Sequence, residues 1–183
     1  MKSSQSTSLA LATYSCDDYT CENDREMVGP KNLDGAIKCA YDSAGCVMDG
    51  ENSRRIMTIY GTKRGTLIIR AITFKNGNAA QGVGGGINIA ANPYLEWQSV
   101  VELVLCLFTA CKAQKVDLFS GGGAIGFHGA NTRVSLFATR FTGNTAASGD
   151  GNDIYRSDDK STMIIDNTCP PPYNDNTLTQ GET

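Results

Sequence analysis

One stretch decides the fold because it occurs three times: FKNGNA at residues 74–79, FTACKA at residues 108–113 and FTGNTA at residues 141–146. The phenylalanines that open these stretches are 34 and 33 residues apart. An apolar residue precedes each phenylalanine by seven positions and another by five; these are Leu67, Ile69, Val101, Leu103, Val134 and Leu136. One apolar template that recurs at a nearly fixed period indicates a repeat architecture.

Each copy leads into a glycine-rich segment and a short β-like run: GGGINI at residues 84–89, GGGAIGF at residues 121–127 and GDGNDIY at residues 149–155. A repeat made of several short strands cannot bury its apolar face alone, so successive turns of the chain must stack on one another. The sequence therefore predicts an all-β fold, a single-stranded right-handed parallel β-helix, which is a solenoid.

The repeats and their flanks predict about four coils. Before the first full repeat, CVMDG at residues 46–50 and IMTIY at residues 56–60 form an incomplete first coil. After the last repeat, MII at residues 163–165 is typical of a closing strand. Glycines are expected at the corners, where a positive φ is needed and a Cβ would obstruct the adjacent turn.

Stacking also predicts which side chains point inward. Because side chains alternate along a strand, the three repeat phenylalanines should stack inside the coil. The residues that follow them, Lys75, Thr109 and Thr142, should then form an outward column. Such a column is a flat polar ladder, which suits an extended partner better than a small ligand.

Composition limits the alternatives. The chain has 183 residues, 40% of them hydrophobic and 19% charged, with a net charge of −3, which favours one folded core over a disordered chain or a nucleic-acid binder. The predicted β-helix domain spans residues 33–168, between an N-terminal segment at residues 1–32 and a polar tail at residues 169–183. The longest apolar run, residues 100–108, is interrupted by Glu102, so no membrane span is predicted.

The seven cysteines favour an oxidising compartment, although an odd thiol weakens that interpretation. Disulfides are predicted for Cys39 with Cys46 and for Cys16 with Cys21, because each pair brackets a short loop. Cys106 shares an inward column with Ile72 and Thr139 and is expected to be a buried free thiol, while Cys111 and Cys169 stay unassigned. A short apolar run at residues 9–12 leaves open that the N-terminal segment, expected to act as a cap, is the remnant of a secretory signal.

Two tetrapeptides carry a resemblance to a known family. GGAI at residues 122–125 and FTGN at residues 141–144 resemble the GGAI and FxxN repeats of the polymorphic membrane protein adhesins and of related right-handed β-helix proteins with the pectin-lyase-like fold. The resemblance spans residues 45–166, with Cys111 in place of the asparagine of the second copy. It implies the β-helix fold and an adhesion role, and in that family the motifs are structural.

The segment at residues 95–108 has a competing interpretation, since its apolar residues also fit a helical stripe. The repeat register favours a strand. In that case Val104 and Leu107 form an outward apolar patch, covered by the N-terminal segment or by a partner.

Catalysis is the main alternative function, because many parallel β-helices are polysaccharide lyases, hydrolases or epimerases. The single histidine, His128, is interpreted as an exposed turn residue. The acidic pairs at residues 17–18 and 158–159 are expected in loops, and no aspartate recurs beside an arginine in one outward column. No catalytic residue is therefore assigned.

A calcium site is a second alternative. SGDGNDIY at residues 148–155 resembles one calcium-binding nonapeptide, which would use Asp150, Asn152 and Asp153. Calcium-binding rolls need consecutive copies and this chain has one, so neither a metal nor another cofactor is predicted.

The expected function is that of an extracellular or cell-surface module for adhesion or polysaccharide binding, without catalysis. Its weak binding candidates are the outward residues Lys75, Thr109 and Thr142. The expected partner is a polysaccharide or a cell-surface protein, and the chain is expected to oligomerise, if at all, through coil ends or the apolar patch. A structural fragment of a longer β-helix protein is a further alternative.

Overall fold

In a computed structural model, the chain is described at residues 46–60, 65–90, 99–114, 121–147, 151–157 and 160–170. Five shorter segments between residues 5 and 39 are described as paired strands. Every regular element in these parts of the chain is a β-strand, which confirms the all-β prediction.

The strands follow the chain in the order β1 Gln5–Leu9, β2 Thr13–Tyr14, β3 Cys21–Glu22, β4 Glu26–Val28, β5 Gly35–Cys39, β6 Cys46–Asp49, β7 Met57–Tyr60, β8 Thr66–Arg70, β9 Ile72–Lys75, β10 Asn78–Ala79, β11 Ile87–Ala90, β12 Ser99–Val104, β13 Leu107–Thr109, β14 Lys112–Ala113, β15 Ile125–His128, β16 Thr132–Phe137, β17 Arg140–Thr142, β18 Thr145–Ala146, β19 Ile154–Arg156 and β20 Thr162–Ile165. The helical alternative for the segment that contains β12 and β13 is therefore wrong for its described part. The predicted closing strand is present as β20.

The strands form four sheets that run along the solenoid. The first sheet has the order β1-β5-β8-β12-β16-β20, and the second has the order β2-β6-β9-β13-β17. The third sheet has the order β3-β4-β7-β11-β15-β19, and a short fourth sheet has the order β10-β14-β18. All pairings are parallel except that of β3 with β4. This arrangement confirms a parallel β-solenoid.

About three turns are complete, one fewer than predicted. The turns β8–β11, β12–β15 and β16–β19 each contribute a strand to all four sheets. The turn β5–β7 adds no strand to the short sheet, because residues 50–56 form turns and bends at that place. The predicted count of about four included this turn, which the sequence already marks as incomplete.

The phenylalanine stack is present as predicted. Phe108 pairs in register with Phe74 on one side and with Phe141 on the other. The ring centroids are 4.8 Å and 5.5 Å apart, with nearly parallel planes. Phe74 and Phe108 are fully buried, and Phe141, in the last full turn, is 7% exposed.

The first sheet supplies a second part of the core, and the third sheet adds buried side chains such as Ile87, Ile125 and Phe127. The inward columns of the first sheet are filled by the apolar residues that precede each repeat phenylalanine, and none of these six side chains is exposed; they are Leu67, Ile69, Val101, Leu103, Val134 and Leu136. The repeat pattern in the sequence is therefore the core pattern of the structure.

The corner between the first and second sheets is a single residue in the left-handed region. Ala71, Leu105 and Ala138 occupy it in successive turns, with φ values of 57°, 55° and 47°. The amides of Ala71 and Leu105 donate to the carbonyl oxygens of Val104 and Phe137 in the next turn, both at 2.9 Å. The expectation of glycines at the corners is wrong here, because this inter-turn hydrogen bonding offsets the cost of a left-handed residue with a side chain.

Glycines do occupy the corner before the third sheet. Gly84, Gly122 and Gly151 have φ values of 69°, 64° and 57°. A Cβ on any of them would lie within 2.1 Å of the carbonyl oxygen of the isoleucine three residues later. A Cβ on Gly85 or on Gly123, the residues that follow Gly84 and Gly122, would clash with the main chain of the adjacent turn. At this corner the predicted role of glycine is confirmed.

The disulfide between Cys39 and Cys46 is present, with a Cα–Cα distance of 5.6 Å. Cys46 pairs with Ile72 of the next turn, so the bridge spans the corner that a single residue forms later in the chain. In this first turn six residues, 40–45, are inserted at that corner. The disulfide joins the two ends of the insertion, the last residue of β5 and the first residue of β6. The predicted partner of Cys21, Cys16, lies outside the described residues.

Removing this disulfide is expected to destabilise the first turn. The variant C39S/C46S should lose about 2–3 kcal/mol of unfolding free energy, because the bridge restricts an eight-residue loop in the unfolded chain. Urea denaturation of the oxidised protein and the variant measures the difference. No change would mean that the insertion needs no bridge to keep its ends together.

The N-terminal strands extend the sheets at their edges. β1 pairs with β5, β2 pairs with β6 and β4 pairs with β7. These strands continue the sheets. The covering of the apolar patch by the N-terminal segment or by a partner stays a prediction, since much of this segment lies outside the described residues. The domain boundary after residue 32, the cap and the signal remnant remain predictions.

Candidate binding face

The outward column of the second sheet lies where the repeat register places it. Lys75 pairs with Thr109, and Thr109 pairs with Thr142, on three adjacent strands. Lys75 and Thr142 are exposed and Thr109 is half-buried. Adjacent strands are about 4.8 Å apart, so the three side chains form a regular row along the solenoid axis.

The column continues to Asp49, which sequence reasoning missed. Asp49 lies in the preceding turn and pairs with Lys75. Its carboxylate accepts hydrogen bonds from the amide of Glu51 at 2.8 Å and from Nδ2 of Asn76 at 3.1 Å. This carboxylate therefore connects its own turn with the next one. The repeat offset could have revealed it, but the first coil lacks the full motif.

Two further columns flank the first one. In the same sheet, Leu107 pairs with Thr73 and with Arg140. In the short sheet, Lys112 pairs with Asn78 and with Thr145. We call the outer surface formed by these three columns the ladder face; its members are Asp49, Lys75, Asn78, Leu107, Thr109, Lys112, Arg140, Thr142 and Thr145. Thr73 shares a column with Leu107 but is buried. The same period of 33 or 34 residues would have identified Arg140 and Lys112 from sequence.

The predicted apolar patch lies at the border of this face. Val104 pairs with Arg70 and with Phe137 on the outward side of β12, as the strand interpretation predicts. Val104 and Leu107 are half-buried, and Leu105 between them is 40% exposed. The patch is thus narrow and flanked by cationic side chains.

The asparagine of the FxxN motif explains why the motif recurs in a solenoid. Asn144 Oδ1 accepts a hydrogen bond from the amide of Cys111 at 2.9 Å, and Nδ2 donates to the carbonyl oxygen of Phe108 at 3.2 Å. One side chain thereby satisfies a donor and an acceptor of the preceding turn. The residue is 6% exposed, so its role is structural.

Cys111 occupies the same position one turn earlier. Its Sγ donates to the carbonyl oxygen of Phe74 at 3.7 Å, which replaces one of the two contacts that asparagine makes. Cys106 is also buried and free, as predicted, and its Sγ donates to the carbonyl oxygen of Ile69. Burial raises the pKa of both thiols to about 12, so neither is a reactive nucleophile at neutral pH.

Because of these two thiols, the free energy of unfolding is expected to decrease in alkali. Their pKa values are higher in the folded protein than in the unfolded chain, so the stabilisation is complete below pH 9 and decreases as the pH rises toward 12. At pH 10 each thiol should lower the unfolding free energy by about 1 kcal/mol. Urea denaturation at pH 8 and pH 10 measures this, and the variant C106A/C111A should lose less between the two values than the unmodified protein. An equal loss would contradict the assignment.

The calcium-like segment provides a structural contact for the last turn. Asn152 Oδ1 accepts a hydrogen bond from the amide of Ala146 at 3.0 Å, and Asp153 Oδ1 accepts from Nδ2 of Asn144 at 2.8 Å. Asp150 lies outside the described residues. Within the part of the chain that the structure describes, no three His, Cys, Asp or Glu side chains are grouped as metal ligands would be.

The structure also locates three polar residues that a test for catalysis can target, His128, Arg133 and Asp153. His128 is the last residue of β15 and half-buried, so its interpretation as an exposed turn residue is wrong. Asp153 directly precedes β19. Because the first residues of β19 and β15 pair, Asp153 and His128 lie at opposite ends of these adjacent strands. Arg133 is exposed on β16 of the first sheet. The acidic pairs at residues 17–18 and 158–159 lie outside the described residues.

Among the described residues no helix has the length and apolar character needed to cross a membrane. Comparisons of the chain with family models, with curated proteins and with solved structures find no match. The ladder face and the solenoid that carries it are therefore the basis for any functional assignment.

Proposed function

We propose that this chain is a non-catalytic binding module of the cell surface or extracellular space. It attaches through the ladder face to a polysaccharide or to a cell-surface protein. The observation that carries the proposal is the in-register outward column of Lys75, Thr109 and Thr142 on three adjacent strands.

A rigid support for this column favours binding over catalysis. The stacked core beneath it fixes the spacing of the outward side chains, so the face offers a preorganised row to an extended partner. The face is flat, and each turn contributes few contacts. A single copy should therefore bind weakly, and tethered copies should bind much more strongly.

The cysteines and the repeat motifs support the location and the relationship. A disulfide between Cys39 and Cys46 fits an oxidising compartment. The parallel solenoid, with FxxN and GGAI at structural positions, fits a relationship to the polymorphic membrane protein adhesins and the pectin-lyase-like fold.

The test is a binding screen of the purified chain, displayed in several copies, against cell-wall glycans and surface proteins. Assays for lyase, hydrolase and epimerase products run in parallel. We expect binding without product. Products that disappear in the variants H128A, R133A or D153N would overturn the proposal in favour of an enzyme. The absence of multivalent binding to every target would leave only a structural role.

A further inference from the structure

Three cations of the ladder face are exposed on three successive turns. Lys75 lies on β9, Lys112 on β14 and Arg140 on β17, and all three side chains are exposed. None of them forms an ion pair with another described residue. Their charges are therefore available to a ligand.

The ladder face has one acidic side chain against three cationic ones. Among the described residues of the three columns, Asp49 is the single carboxylate. It accepts hydrogen bonds from Asn76 of the next turn and from the amide of Glu51 of its own turn, and it pairs with Lys75 on the adjacent strand. The ladder face is thus cationic although the whole chain has a net charge of −3. This local excess of positive charge is complementary to an anionic partner.

Each cation has a threonine as its neighbour. Lys75 pairs with Thr109, and Lys112 pairs with Thr145, on adjacent strands. Arg140 and Thr142 are two residues apart on β17, so both side chains lie on the outward side of the sheet. Side chains at such positions lie about 5–7 Å apart. One anionic group can therefore accept hydrogen bonds from a cation and from the hydroxyl beside it.

We propose that the ladder face binds a sulfated polysaccharide that runs along the solenoid axis. A sulfate has three terminal oxygens, which is enough to contact an ammonium or guanidinium group and a threonine hydroxyl together, and it stays ionised at all physiological pH values. The recurring pairs of cation and hydroxyl match a polymer with repeated sulfate groups. This inference rests on the proposed function and specifies the chemistry of its partner.

The experiment measures binding of the purified chain to immobilised dextran sulfate, to unmodified dextran and to polygalacturonate at increasing salt concentration. Dextran and dextran sulfate share one backbone, so their difference isolates the sulfate groups. Polygalacturonate is a polyanion that carries carboxylates. We expect binding to dextran sulfate that weakens with salt, no binding to dextran, and at least fivefold weaker binding to polygalacturonate.

Two matched double variants locate the site. K75Q/R140Q removes two charges from the ladder face, and K38Q/R133Q removes two exposed charges from the first sheet. We expect the first variant to lose about tenfold in affinity for dextran sulfate and the second to lose less than twofold. T109V, which keeps the volume and removes the hydroxyl, should weaken binding about threefold. Thermal unfolding of each variant checks that the fold is retained.

The possible results separate this inference from the proposed function. Equal losses in both double variants would overturn the inference, because they would indicate attraction to charge in general. Binding to polygalacturonate as strong as to dextran sulfate would overturn the choice of sulfate. If dextran sulfate does not bind while a neutral glycan or surface protein does, the inference fails and the proposed function stands. If nothing binds in any format, both fail.

Discussion

Phe108→Ala is expected to lower the free energy of unfolding by about 3–5 kcal/mol. Phe108 is fully buried and stacks between two other rings at 4.8 Å and 5.5 Å. Its loss removes apolar contacts on both ring faces and leaves a cavity in the middle turn, where neighbouring turns on both sides limit collapse. Equilibrium denaturation in urea or guanidinium measures the change.

Two other variants calibrate this result. Phe141→Ala should cost less than Phe108→Ala, because Phe141 has a ring partner on one side in the described structure and is 7% exposed. Lys75→Ala, on the outward side of the same sheet, should cost about 0.5 kcal/mol or less. Small and equal effects for Phe108 and Lys75 would reject the inward register on which the ladder face depends.

Gly122→Ala is expected to lower the free energy of unfolding by about 3 kcal/mol or more. Gly122 has a φ of 64°, and a Cβ there would lie 2.1 Å from the carbonyl oxygen of Ile125. The new methyl group can be accommodated only if the main chain at this corner moves. That movement would disturb β15 and its pairing with β11 and β19.

Gly143→Ala is the matched control for this prediction. Gly143 has almost the same φ, 63°, but a Cβ there would meet no atom within 4 Å. Its replacement should therefore lower the free energy of unfolding by about 1 kcal/mol, because alanine is strained in the left-handed region even without a steric clash. Thermal or chemical denaturation compares the two variants. Equal costs would show that close packing of successive turns does not fix this corner.

The core register could be predicted from the sequence because it depends on recurrence. Phe74, Phe108 and Phe141 are separated by nearly one period, and stacking is the arrangement that lets each bury its ring on the next. The same reasoning located Lys75, Thr109 and Thr142 on the outward side. The pair Cys39 and Cys46 was predictable for a different, local reason, since two cysteines that bracket a short loop can reach one another.

The remaining features have no sequence signal of comparable strength. The corner at Ala71, Leu105 and Ala138 contains no glycine, and its left-handed conformation results from hydrogen bonds between turns. Asn152 and Asp153 resembled calcium ligands, whereas they bond to the main chain and to Asn144 at the last full turn. Asp49 lies in an incomplete turn that the motif does not align. Each of these depends on individual hydrogen bonds, which the apolar repeat pattern does not encode.

The most direct test of the central claim compares the chain as a monomer and as a tethered tetramer on the strongest target of the binding screen. The account predicts an apparent Kd at least about a hundredfold lower for the tetramer, and no released product. It also predicts that the variant K75A/T109V/T142V loses most of this binding while its thermal stability is unchanged. Turnover of the target, or undiminished binding by this variant, would contradict the account.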